Sequence, residues 1–202
     1  MNYGDVIARN REAYGPRAAT ERDAFAKEPW KLQERAAFLD LLRAAGVTTL
    51  LEVGSGTGQD SAWFQASGLD VTAVDLSPAM VEKTRGKGVR AYARDLLDLE
   101  FPASSFGAVY SMNTLLHVPT PELDAALQSI CAVLAPGGLL HLGVYGGKHE
   151  EGVVEDGRFF AFRSDEEMLT HAARHFEILN FHVQKADDRR YQSLTLVRPV
   201  QW

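Results

Sequence analysis

Leu50-Leu51-Glu52-Val53-Gly54-Ser55-Gly56-Thr57-Gly58 is an apolar run that passes straight into three alternating glycines. Glycine at alternate positions lets a backbone turn tightly and approach a ligand with no Cβ in the way. An ordinary strand-to-helix turn uses the same residues, but a nucleotide-like cofactor is the more specific reading. A dinucleotide fingerprint would place glycine at position 59, where this chain has Gln59. Further on, Val74-Asp75-Leu76-Ser77-Pro78 closes a second apolar run with a carboxylate at its tip. Such a carboxylate can accept both hydroxyls of a ribose, in nicotinamide and adenosyl cofactors alike.

Working outward, short apolar runs alternate with stretches of helical period. Thr49 to Val53, Asp70 to Asp75, Val89 to Ala93, Phe106 to Met112 and Leu139 to Tyr145 read as buried strands. Pro121 to Leu134 reads as a helix with Leu123, Leu127, Ile130, Cys131 and Leu134 on one face, Thr120 as its cap and Pro136-Gly137-Gly138 as its stop. Strand and helix in alternation predict a doubly wound, mostly parallel α/β sheet.

Residues 1–46 are helical in tone, with Leu32, Ala36, Leu39 and Arg43 spaced by four and Gly46 as a stop. Gly146 to Gly157 is polar, acidic and without period, and reads as a long lid loop. Ser164 to Arg174 reads as a helix opened by a Ser164/Glu167 capping box. Glu177 to Val183 and Tyr191 to Val197 are expected to form a closing hairpin around the charged turn Lys185 to Arg190. The expected organisation is therefore a single domain: a helical cap (1–46), a cofactor-binding core (47–145) and a lid with closing elements (146–202).

Composition narrows the function. Hydrophobic residues make up 46% of the chain and charged residues 24%, which suits a folded globular protein and excludes disorder. The formal charge of −6 weighs against a grip on phosphate backbones, so no nucleic-acid partner is expected. No apolar run approaches the roughly 20 residues of a membrane span. The start MNYGDVIARN lacks the apolar core of a secretory signal, which makes the cytoplasm the expected compartment. The single Cys131 leaves no internal disulfide, and no residue spacing suggests a metal site.

Four motifs in order resemble the class I S-adenosylmethionine-dependent methyltransferases, most closely the small-molecule branch called type 11 or 12. They are Leu51 to Gly58, Val74 to Met80, Arg94-Asp95-Leu96 ahead of Phe101-Pro102 and Ser105-Phe106, and Leu134-Ala135-Pro136-Gly137-Gly138. The resemblance implies a Rossmann-like, seven-stranded sheet with its last strand antiparallel. It implies methyl transfer from S-adenosylmethionine to an oxygen or nitrogen of a small molecule. Gly54, Ser55 and Gly56 would lie against the methionine part of the cofactor, with Glu52 shaping the turn. Asp75 would take the ribose, Leu76 and Met80 the adenine faces, Asp95 and Leu96 the adenine edge. Tyr14, in a partial match to the family's amino-terminal Tyr signature, would cap the cofactor, and Met112 at the fourth strand's end would border it.

His117 is the best-placed general base, with a reference pKa near ~6.5; lining the cofactor pocket is its other reading. Gly107 replaces a family aspartate, a change that bears on packing. Arg163, behind the cluster Phe159-Phe160-Ala161-Phe162, would meet an anionic substrate group or pair with the acidic loop. Two competing readings stay open. One is a cofactor-binding regulator without catalysis; the other is an NAD(P)-dependent reductase, which Gln59 and the lack of a Tyr-x-x-x-Lys pair disfavour.

Overall fold

A computed structural model describes residues 1–186 and 189–200. Three helices come first: α1 (Tyr3–Ala13), α2 (Pro16–Asp23) and α3 (Pro29–Ala44). There follow β1 (Thr49–Val53), α4 (Gln59–Ala66), β2 (Asp70–Asp75), α5 (Pro78–Gly86), β3 (Arg90–Ala93) and β4 (Phe106–Met112). The chain continues through α6 (Leu123–Val133), β5 (Leu134–Gly146), β6 (Glu150–Val153), β7 (Phe159–Phe162), α7 (Asp165–Ala173), β8 (Glu177–Ala186) and β9 (Arg189–Val197).

Seven strands form one sheet in the order β3-β2-β1-β4-β5-β9-β8. β1 to β5 pair in parallel, and β9 runs antiparallel between β5 and β8. The strand order reverses between β1 and β4, so the connections leave in opposite directions there and open a crevice at the strands' carboxyl ends. Successive β1 residues serve opposite faces. Leu51 and Val53 pack with α6 and α7 through Leu127, Ile130 and Met168. Leu50 packs with α3 and α4 through Phe38, Leu42 and Phe64. Both faces of a parallel sheet are thereby covered, as its continuous apolar strands demand.

Several local expectations need correction. The buried face of α3 is Arg35, Phe38, Leu39 and Leu42, whereas Leu32, Ala36 and Arg43 are exposed. A spacing of four drifts around a helix of 3.6 residues per turn, so the row that reaches the sheet mixes steps of three and four. α6 begins after a 3₁₀ turn at Thr120–Glu122 with no side-chain cap, and Thr120 N–H instead donates to Glu151 Oε2 at 3.0 Å. α6 also ends at Val133 rather than at the Pro-Gly-Gly run. Leu134 is already extended and pairs with Phe106, and Pro136 keeps Ala135 out of the helical region behind it.

The stretch expected to be a loop is half of a hairpin, with β6 pairing antiparallel to β7 from Glu150↔Phe162 to Val153↔Phe159. Its strand residues are too few and too exposed to show alternation. The capping box of α7 is present: Ser164 Oγ accepts from Glu167 N–H and Glu167 Oε2 accepts from Ser164 N–H. The closing strands are longer than expected, reaching Ala186 and starting at Arg189; the middle of the expected turn, residues 187 and 188, lies outside the described residues. At Gly107 a Cβ would stand 2.9 Å from Val47 Cγ1, so the aspartate of the family pattern would not fit this packing.

Candidate active site

The glycine turn is held by the second strand. Gly54 N–H and Ser55 N–H both donate to the Val74 carbonyl, at 2.8 and 3.0 Å. Gly54 has φ +71°, and a Cβ there would fall 1.9 Å from Thr114 Oγ1, so the turn closes only around a glycine. Gly56 is different. It also has positive φ, +54°, but no heavy atom lies within 4 Å of where its Cβ would stand. That open space belongs to a cavity of about 730 Å³ at the strand tips.

Asp75 closes the turn from the side. Its Oδ2 accepts from Gly56 N–H at 2.8 Å and its Oδ1 from Ser77 N–H at 2.9 Å. Burial raises its pKa to about 6, against the opposing pull of those two N–H groups. Each carboxylate oxygen keeps acceptor capacity toward the cavity. This is the donor-hungry arrangement that a ribose diol satisfies, and the space left by Gly56 is a cradle that a side chain would fill.

Further along the same edge, Asp95 Oδ1 accepts from Tyr3 Oη at 2.5 Å and from Leu97 N–H at 3.0 Å. Leu76, Met80 and Leu96 border the cavity beside it. Met80 is only 1% exposed, so it serves the core and the cavity wall together. Behind the turn, Glu52 is buried and accepts from Ser61 Oγ. Burial, reinforced by the charge of Asp60, pushes its pKa up to about 8. Asp60 is itself clasped by Lys27 at 2.6 Å and Arg35 at 2.8 Å.

Across the cavity, Tyr14 Oη lies 2.8 Å from His117 Nε2. His117 Nδ1 lies 2.7 Å from the Phe159 carbonyl, which can only accept. Nδ1 therefore carries the proton, and in the neutral ring Nε2 accepts from the Tyr14 hydroxyl. Burial lowers the His117 pKa to about 4, well under the reference value on which the sequence reading rested. Arg158 Nη1 donates to Tyr14 Oη at 3.2 Å, and Asp156 holds that guanidinium in turn. The hairpin bearing Arg158 is fastened to α1, where Asn10 Oδ1 accepts from Phe159 N–H at 2.9 Å.

All twelve site residues named from the sequence, from Tyr14 to His117, border this cavity. Arg163 does not. It is 2% exposed, and its guanidinium donates to the carbonyls of Leu115, Ala161 and Val118. Its role is to fix the segment that carries His117, away from the cavity where a substrate anion would lie, while the charge of Glu151 on the acidic loop favours its charged form. Tyr3, Asn10, Thr114 and Arg158 were not singled out in the sequence. Each contributes through a contact far along the chain that no local pattern encodes.

Residues 50–138 match the family model described as "Methyltransferase domain". The chain is 36% identical over 97 residues to a Bacillus subtilis (strain 168) protein named uncharacterized methyltransferase YodH, covering 45% of this chain and 40% of that one. It is 33% identical over 138 residues to a ubiquinone biosynthesis O-methyltransferase of Xanthomonas oryzae pv. oryzae, covering 65% and 54%. The chain thus spans about half the length of the curated relatives it matches.

The solved structure of Burkholderia thailandensis 1,6-didemethyltoxoflavin-N1-methyltransferase, with S-adenosylhomocysteine bound, superposes with a TM-score of 0.76 at 22% identity over 96% of this chain and 88% of that one. Magnesium protoporphyrin IX methyltransferase from Synechocystis PCC 6803 superposes at 0.66, with 17% identity over 95% and 93%. These superpositions show that the chain has the Rossmann-like fold of those methyltransferases. The sequence likeness to the methyltransferase domain family is carried by residues 50–138, a little under half of the chain.

Proposed function

We propose that this chain binds S-adenosylmethionine and transfers its methyl group to an oxygen or nitrogen of a small-molecule acceptor. The observation that carries the reading is the open position at Gly56, flanked by the doubly anchored Asp75 carboxylate, in one cavity with the Tyr14–His117 pair. In this reading Gly54, Ser55 and Gly56 lie along the methionine part and Asp75 takes the ribose hydroxyls. Asp95, Leu96, Leu76 and Met80 surround the adenine, Glu52 supports the turn, and Met112 lines the cavity floor. When bound, the cofactor supplies an electrophilic methyl group on a sulfonium.

The chain's own residues would then hold the acceptor in line and exclude water, which accounts for much of the rate of such a displacement. Where the acceptor must lose a proton, Tyr14 Oη can receive it while passing its own proton to His117 Nε2. His117 thus works through Tyr14 rather than at the acceptor directly. The same reading treats residues 1–202 as one unit, with the first three helices and the β6–β7 hairpin closing the cavity. No helix among the described residues is long and apolar enough to cross a membrane. In this reading the location is cytoplasmic, as the start of the sequence leads one to expect, and the acidic charge balance disfavours a nucleic-acid partner.

Calorimetry with S-adenosylhomocysteine tests it. The native chain is expected to bind. Gly56→Val, which fills the cradle, and Asp75→Ala are each expected to weaken binding by about tenfold or more, the worth of a charge-assisted contact of about 1.5 to 3 kcal/mol. Equal affinity in all three proteins would overturn the assignment.

A further inference from the structure

The charges around the cavity are sorted by the elements that supply them. The strand tips and α4 contribute acids, Glu52, Asp60, Asp75 and Asp95. Elements that close over the tips contribute mostly cations, Arg22 from α2, Lys27 ahead of α3, Lys31 from α3, Arg158 from the hairpin and Arg189 from β9, with Glu28 as the acid among them. In a chain of net charge −6, a cluster of cations on a cavity wall calls for a partner. S-adenosylmethionine is itself a net cation, so the acidic tips suit it and the cationic wall does not.

Lys31 and Arg189 are the informative pair. Lys31 Nζ stands 5.3 Å from the centre of the Tyr145 ring and the Arg189 guanidinium 4.5 Å from it. Both reach the same carboxylate, that of Glu28, which lies 3.5 Å from Arg189 Nη2. The position therefore already accommodates a carboxylate between two cations. Glu28 precedes α3 at its capping position, yet its side chain makes no capping bond, so displacing it would not open the helix. The Tyr145 hydroxyl is buried and has no hydrogen-bond partner among the described residues. A buried hydroxyl left unpaired is costly, which suits a donor kept for a ligand. Two cations to one carboxylate also leave a positive charge to be met. Tyr145 and Phe160 are aromatic rings that line the cavity on its closing side, with Arg158 4.9 Å from the Phe160 ring.

We infer that the methyl acceptor is an aromatic carboxylate, whose anionic group is held by Lys31 and Arg189 beside the Tyr145 hydroxyl. Its ring lies against Tyr145 and Phe160, with the group to be methylated toward Tyr14. This rests on the methyltransferase reading and narrows it to a substrate class.

The test is a panel of matched ring compounds, each carboxylic acid beside its neutral carboxamide. Binding to protein saturated with S-adenosylhomocysteine is followed by ligand-observed NMR, then by calorimetry on the binders. Acids are expected to bind at least about tenfold more tightly than their amides, and less tightly as salt is raised. Lys31→Met and Arg189→Met are each expected to remove most of that preference while S-adenosylhomocysteine affinity stays native. Tyr145→Phe is expected to reduce it while keeping the ring. Four outcomes would overturn the inference: no binder among the acids, equal binding of acids and amides, a preference that survives both cation variants, or cofactor affinity that falls with them. The last would assign the two cations to the cofactor's own carboxylate. If S-adenosylhomocysteine itself does not bind the native chain, the broader reading fails instead, so the two failures are separable.

Discussion

Tyr14 Oη and His117 Nε2 lie 2.8 Å apart although 103 residues separate them, and the Phe159 carbonyl at His117 Nδ1 orders the proton positions between them. A histidine so buried stays neutral over most of the accessible pH range, with its pKa lowered to about 4. At neutral pH Nε2 is therefore unprotonated and accepts from the Tyr14 hydroxyl.

For an acceptor that loses a proton on methylation, Tyr14→Phe is expected to lower turnover by about 10² or more. S-adenosylhomocysteine affinity should stay within a few-fold of native. In the native enzyme the acid limb of the rate profile should fall near pH 4, since protonation of His117 removes its acceptor lone pair. Single-turnover rates from pH 4 to 8, with fold integrity followed in parallel, check this. An acid limb near 6.5 would mean that His117 is solvated and free of Tyr14.

Cofactor binding is expected to depend on pH through Asp75. Its pKa of about 6 in the free protein reflects burial, and hydroxyl donors on a ligand would favour the charged form. Binding then releases a proton where Asp75 is partly protonated. Affinity for S-adenosylhomocysteine should weaken by roughly tenfold for each pH unit below about 6 and level off above it. Calorimetry near pH 5.5 in buffers of different ionisation enthalpy would show the released proton; identical heats in those buffers would contradict the linkage.

Glu52 links stability to pH with the opposite sign from an ordinary carboxylate. Its pKa is raised to about 8 in the fold, from an ordinary value of 4.5, by burial and then by Asp60. Between those values the folded state binds the extra proton, so this contribution is complete below pH 4.5 and is lost as pH rises through about 8. Glu52→Gln, neutral at every pH, should show a flatter Tm between pH 6 and 9 than the native chain. Parallel Tm curves for the two proteins would place the Glu52 charge elsewhere.

Arg163 is expected to act on stability first. Arg163→Met leaves the carbonyls of Leu115, Ala161 and Val118 without their buried donor. That should cost about 2 to 4 kcal/mol in urea unfolding. Arg163→Lys should recover part of it, because a single ammonium cannot reproduce the guanidinium fork. Loss of activity with native stability in Arg163→Met would instead return Arg163 to substrate binding.

Much of this protein is legible in its amino-acid order. The five parallel strands, the glycine turn, the Asp75 tip and the Ser164 capping box each depend on neighbours within a few residues, where backbone conformation and burial period are encoded. What local order does not encode is which distant side chains meet. The Gly146–Gly157 stretch reads as a loop because β6, its only strand, is short and exposed throughout and carries no period; pairing with β7 defines it, and β7 in turn is held by α1 and the His117 segment. Arg163 looked like a substrate ligand until packing buried it against three carbonyls. Tyr14 joins His117, Tyr3 joins Asp95 and Lys31 joins Arg189 around Glu28 only because the strand order reverses beside β1, and the amino-terminal helices and closing strands converge on that crevice. Local chemistry determined the glycine-turn wall of the cavity. The opposite wall was decided by tertiary structure, since residues as far apart as Tyr14, His117, Tyr145 and Arg189 meet there.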